Sequence, residues 1–127
     1  MLYFIVFLGA GIGGALRHGV NVGTTRLMGV DFPYGTMIVN VLGSFVMGLF
    51  AGYFVSRPGI PQHIRLFLTT GILGGFTTYS SFSLDTALLM ERHAYWLAAA
   101  YVAGSFVAGL IALFAGMSVF RIESHIP

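Results

Sequence analysis

Residues 74–83 read GGFTTYSSFS, and residues 35–44 read GTMIVNVLGS. Both stretches lie inside apolar runs, yet the first carries hydroxyls at Thr77, Thr78, Tyr79, Ser80, Ser81 and Ser83. The second spaces Thr36, Asn40 and Ser44 four apart, which makes one polar line on a helix face. Tyr101 and Ser105 repeat that spacing further along. None of these side chains is charged at neutral pH, and all can donate hydrogen bonds. Aligned neutral donors suit a small ion that must shed its water. Gly71, Gly74 and Gly75, followed by Thr77 and Thr78, are poor material for an unbroken helix. A break there frees backbone carbonyls and N–H groups, which are potential ion ligands.

Taken singly, these residues have plainer readings. Ser and Thr in apolar helices bond back to their own backbone. An Asn can simply join two helices. Tyr79 and Phe82 can fill a core or face lipid. Their conjunction is what points to an ion path. Carboxylates mark cation or proton routes, and of Asp31, Asp85, Glu91 and Glu123 only Asp85 falls within an expected span, towards its end. The Asn40 amide, the hydroxyls and the electropositive ring edges of Tyr79 and Phe82 favour an anion. Arg17, flanking the first apolar run, can concentrate anions at a pore mouth.

The elements that hold these groups follow from composition. The chain has 127 residues, 57% hydrophobic and 8% charged, with a mean hydropathy of +0.88. Soluble domains carry about 25% charged residues. So few charges cannot face water all round, and lipid is the expected solvent. Residues 33–56, 66–84 and 94–120 contain no charge, and residues 1–16 extend to 25 if Arg17 and His18 are accommodated. A spanning helix needs about 20 mostly apolar residues. The spacing therefore predicts an all-α membrane protein, one domain over 1–127, with four transmembrane helices at about 2–25, 33–56, 62–91 and 94–121. The third is expected as half-helices 62–73 and 80–91, broken near 74–79. Pro58 and Pro61 separate spans two and three.

The first span lacks the basic leader of a signal peptide. Without cysteine there is no disulfide and no thiolate metal site. Gly9 with Gly13, Gly48 with Gly52, and Gly104 with Ala108 have the small-xxx-small spacing of close-packed helices. All six basic residues are arginine. With four spans, Arg57, Arg65 and Arg121 fall on one side, and Arg26 and Arg92 on the other, with Arg17 if it reaches that surface. Such near balance gives the positive-inside rule little to act on. Insertion in both orientations, and an antiparallel pair around a two-fold axis, are the expectation.

At these motifs the sequence resembles the Fluc (CrcB) family of bacterial fluoride channels. The resemblance rests on Gly9, Gly13 and Arg17 in span one, on GTMIVNVLGS and on GGFTTYSSFS, and covers essentially the whole chain. It implies a dual-topology antiparallel homodimer in the cell (inner) membrane, with two pores that export fluoride passively. It implies a pore asparagine at Asn40 and an aromatic box at Tyr79 and Phe82. A polar track is implied at Thr36, Ser80, Ser83, Tyr101 and Ser105, and a vestibule arginine at Arg17. It implies a structural sodium at the dimer centre, held by the backbone carbonyls of Gly74 and Thr77. The family usually has Phe where this chain has Tyr79. Fluoride, membrane lipid and a second copy are the implied partners, and no nucleic acid is expected.

The nearest rival is a small multidrug-type, dual-topology, proton-coupled transporter. That coupling needs a carboxylate within the membrane, ordinarily in the first span, and residues 1–30 contain none. An enzyme is not expected either. His18, His63, His93 and His125 lie near span ends without paired ligand spacing.

Overall fold

The computed structural model describes residues 1–124 as backbone and 1–120 with side chains. His125 lies outside the described residues, as do the side chains of Arg121 and Glu123. The first helix, α1 (Leu2–Met28), has 27 residues, about 40 Å at 1.5 Å per residue. It runs past the expected end at 25 because nothing breaks it before Gly29. Gly29 takes φ 83 and returns its N–H to Thr25 O at 3.0 Å, a left-handed stop that suits glycine. Arg17 and His18 consequently sit within the helix rather than at its flank.

Helix α2 (Tyr34–Ser56) starts after Pro33 and ends before Arg57 and Pro58. The third segment, α3, covers residues 62–76. It begins with α turns at Gln62–Leu66, widens into a π segment at Phe67–Leu73, and closes with Gly74–Phe76. The chain then extends through Thr77 (φ −80, ψ 156) and Thr78 (φ −150, ψ 118). Helix α4 (Tyr79–Glu91) follows, and a turn with His93 at φ 62 leads to α5 (Tyr95–Ser124).

The break is narrower than the expected 74–79 and falls later. Gly74 and Gly75 stay helical, and Gly75 packs against helix α1: a Cβ on it would lie 2.7 Å from Ala10 Cα. Thr78 is the residue that restarts the helix. Its hydroxyl accepts the Ser81 N–H at 3.2 Å, an N-cap worth about 1 kcal/mol.

Every regular element among the described residues is helical. Helices α1, α2 and Tyr95–Phe120 of α5 are long and apolar enough to cross a membrane. The two pieces α3 and α4 are individually too short to do so. Two helix pairs, α1 with α3 and α2 with α5, pack backbone against backbone. A Cβ on Gly13 would lie 2.7 Å from Phe76 N, and one on Gly52 2.9 Å from Met117 O. Gly104 differs from the other small-residue pairs, since its nearest neighbour is the flexible Met37 side chain. A small cluster of Leu89, Ala98 and Tyr101, joined by Phe32, Met37 and Phe82, ties α4 to α5. Many large apolar side chains, among them Phe4, Phe7, Trp96, Phe106 and Ile111, point outwards. That surface suits lipid, where helices associate through close packing rather than apolar burial.

Candidate ion path at the helix break

Two cavities lie near the break. The first, about 610 Å³, opens beside the α1–α2 turn and is lined by Asn21, Thr24, Thr36, Ser81, Asp85 and Arg92 among others. The second, about 500 Å³, is lined by Asn40, Ser44, Thr77, Thr78, Tyr79, Phe82 and Ser105, with Met47, Phe106 and Leu113 as its apolar wall. Tyr101 stands between them, wholly buried. Its hydroxyl donates to Asp85 Oδ2 at 3.2 Å, and its ring lies 5.1 Å from that of Phe82. Helical spacing explains the arrangement. Thr36 and Asn40 are one turn apart on α2, and Tyr101 and Ser105 are one turn apart on α5.

Asn40 is engaged at both ends of its amide. Nδ2 donates to Thr78 O at 3.1 Å, and Oδ1 accepts from Thr78 N at 2.8 Å. Thr78 offers one donor and one acceptor, so this pairing fixes which way the amide points. Nδ2 carries a second hydrogen, which is left for the cavity. Each bond contributes about 1 kcal/mol net, and together they hold the break against α2. Sequence reading missed this use of Asn40, because its partner is a backbone group 38 positions away.

The remaining expected residues divide into two sets. Tyr79 is 81% exposed, with its ring 6.1 Å from Phe82 and tilted to it. Ser80 and Ser83 are exposed as well, and Ser80 Oγ lies 3.4 Å from Thr78 Oγ1. These three face outwards from the single chain. Thr36, Asn40, Phe82, Tyr101 and Ser105 face inwards. Ser105 Oγ is buried without any hydrogen-bond partner, an unsatisfied donor beside the second cavity. Arg17 is half-buried and lines neither cavity.

The break also releases carbonyls. In an unbroken helix the Thr78 N–H would close onto Gly74 C=O, and the Ser81 N–H onto Thr77 C=O. Those two N–H groups go instead to Asn40 Oδ1 and Thr78 Oγ1. No group of three His, Cys, Asp or Glu side chains able to hold a metal occurs among the described residues.

Sequence comparison decides the family. The profile described as CrcB-like protein, Camphor Resistance (CrcB), matches residues 4–117. The chain belongs to the CrcB family. The fluoride-specific ion channel FluC of Methylobacterium nodulans is 60% identical over 117 residues, covering 92% of this chain and 94% of that protein. The fluoride-specific ion channel FluC of Rhodopseudomonas palustris is 55% identical over 121 residues, covering 95% and 98%. Membership, with several apolar helices, makes this CrcB chain a multi-pass membrane protein.

Within the CrcB chain, Ser44 and Ser81 join the residues singled out by motif. Ser44 lies one turn beyond Asn40 in the second cavity, opposite Gly109, where a Cβ would sit 3.6 Å from Ser44 Oγ. Ser81 lines the first cavity. The four-residue spacing from Asn40 was the signal for Ser44. Ser81 had none apart from its place in a hydroxyl-rich run.

Proposed function

We propose that this chain is a fluoride-selective channel that lets fluoride leave the cell passively. The observation that carries this reading is the second cavity, in a chain similar to proteins named fluoride-specific ion channels. Its wall holds an amide, hydroxyls and aromatic rings, and no carboxylate or basic side chain. Fluoride is small and strongly hydrated, so a pore must replace its water with donors. Asn40 Nδ2, the unpartnered Ser105 hydroxyl and the ring edges of Tyr79 and Phe82 supply such donors without a fixed charge to trap the ion. Thr36 and Tyr101 continue the path towards the first cavity. Arg17, within α1, adds positive potential along the anion's approach.

The outward Tyr79, Ser80 and Ser83 imply a second wall. An antiparallel homodimer supplies it from another copy of this chain and gives two pores related by the two-fold axis. The near balance of arginines between the two sides supports dual topology. In that dimer the half-helices α3 and α4 together complete the fourth crossing. The released carbonyls of Gly74 and Thr77 suit an alkali cation, whose hydration shell backbone oxygens can replace. Two carbonyls from each chain would hold a central sodium, which supplies fixed positive charge between the pores. A proton-coupled transporter is not favoured, since residues 1–30 offer no carboxylate.

The test is fluoride efflux from proteoliposomes, followed with a fluoride electrode and compared with chloride efflux. Rapid fluoride release with little chloride release is expected. Equal release of both, or none of either, would rule out a selective fluoride pore.

A further inference from the structure

Asn40 has been placed at the pore for the amide it offers an anion. Its two hydrogen bonds, however, go to the backbone of Thr78. An asparagine that captures both the N–H and the C=O of one residue acts on that backbone as a neighbouring strand would. The consequence lies four residues upstream. Because Thr78 N–H is taken by Oδ1 at 2.8 Å, it cannot close onto Gly74 C=O. Thr78, held extended at φ −150, can then turn its hydroxyl to the Ser81 N–H, which keeps Thr77 C=O open as well.

We propose that Asn40 is a positioning residue for the cation site: acting through Thr78, it holds the Gly74 and Thr77 carbonyls free to bind sodium. The pore amide and the cation centre are thus one hydrogen-bonded unit. The same side chain that lines the anion path determines whether the cation ligands exist. This inference rests on the sodium reading of the two carbonyls. It adds the claim that their availability is set by α2 and not by the sequence of the break itself. Gly43, on α2 one turn from Asn40, has Thr77 Cγ2 against its Cα hydrogens, so the contact that seats Thr77 lies on the same helix face.

The two roles of Asn40 separate by substitution. Asn40→Asp keeps an oxygen that accepts the Thr78 N–H but places a negative charge in the anion path. Asn40→Ala removes the acceptor, so Thr78 N–H can return to Gly74 C=O. The measurement is the thermal midpoint of purified dimer, titrated with sodium against N-methylglucamine, alongside fluoride efflux. Loss of a partner that orients a metal ligand typically weakens affinity about 10- to 100-fold. Sodium half-saturation should therefore rise at least about tenfold in Asn40→Ala. In Asn40→Asp it should stay within about threefold of the parent, or tighten, while efflux is lost.

Thr78 offers a second route should Asn40→Ala fail to assemble. Thr78→Val removes the acceptor for Ser81 N–H and should weaken sodium, whereas Thr78→Ser should restore the parent response. A parent protein whose midpoint ignores sodium would overturn the sodium reading and this inference with it. A sodium-responsive parent with unchanged half-saturation in Asn40→Ala or Thr78→Val overturns the inference alone.

Discussion

The hydroxyl of Tyr101 donates to Asp85 Oδ2 at 3.2 Å, which joins α5 to α4 between Asp85 of the first cavity and Phe82 of the second. This carboxylate lines the first cavity, as Asp31 and Glu91 do, but it alone of the three bonds to Tyr101, and its charge opposes an anion. Asp85→Asn keeps an acceptor for Tyr101 and removes the charge. At about 8 Å and an effective dielectric of 20, that repulsion is about 2 kcal/mol, and water in the first cavity reduces it further. Fluoride efflux should rise several-fold. Tyr101→Phe keeps the ring against Phe32 and Phe82, so the dimer should assemble while efflux falls. A drop in efflux for Asp85→Asn would instead make the carboxylate a working part of the path.

Gly13 tests the packing that holds α3 beside α1. A Cβ there runs into the Ile72 carbonyl and lies 2.7 Å from Phe76 N, both backbone atoms that cannot swing aside. Gly13→Ala should destabilise by about 1–3 kcal/mol, the usual cost of overpacking. Gly11 is the control, since a Cβ on it meets nothing within 4 Å. Thermal midpoints of the two variants in detergent should differ, with Gly11→Ala equal to the parent or higher. Equal losses would mean that α1 and α3 separate at little cost.

Residue types made part of this molecule legible and left the rest hidden. The long uncharged runs mark α1, α2 and α5 because apolar length is itself the physical requirement for crossing lipid. The break near GGFTTYSSFS is legible as a region, yet helix propensity misplaces it. Propensity spreads the break over 74–79, whereas Gly74 and Gly75 stay helical, the latter packed against Ala10, and Thr78, a good N-cap, decides the restart. The π segment at Phe67–Leu73, which packs on α1 where Gly71 meets Gly9, leaves no pattern in the sequence. Asn40, Thr36 and Ser44 stand out by spacing, but spacing says only that they share a face. That Asn40 bonds to Thr78 depends on a fold-level approach between α2 and the break. The exposure of Tyr79, Ser80 and Ser83 likewise follows from chain geometry, and their role depends on what covers them.

Dual topology makes its own prediction. In the proposed four-span arrangement Arg57, Arg65 and Arg121 would lie on one side, against Arg26 and Arg92, with Arg17 if it reaches that surface, on the other. C-terminal reporters active on opposite faces of the membrane should give comparable signals. Two or three lysines added between 57 and 61 should bias insertion and lower the yield of dimer, because each dimer needs both orientations. Co-expression with a variant biased the other way should restore it. A reporter signal from one face alone excludes the antiparallel pair.

Tyr79 stands where the resemblance to fluoride channels implies a Phe, and its position separates two accounts of the aromatic box proposed there. It is 81% exposed on the face that a second copy would cover, three residues from Phe82 with ring centroids 6.1 Å apart. If ring edges carry the anion, Tyr79→Phe should keep most of the flux, since the quadrupole survives loss of the hydroxyl. Tyr79→Ile keeps apolar bulk without a ring and should cut flux far more, about tenfold if the edge contributes about 1.4 kcal/mol. If the hydroxyl is the ligand, Phe and Ile should impair flux equally. If neither variant loses flux, Tyr79 packs against the second copy and nothing more. Tyr79 shares the second cavity with the donors Asn40 and Ser105 but is itself 81% exposed, at the cavity's outer edge, which favours the ring edge. Efflux normalised to reconstituted dimer distinguishes the three outcomes.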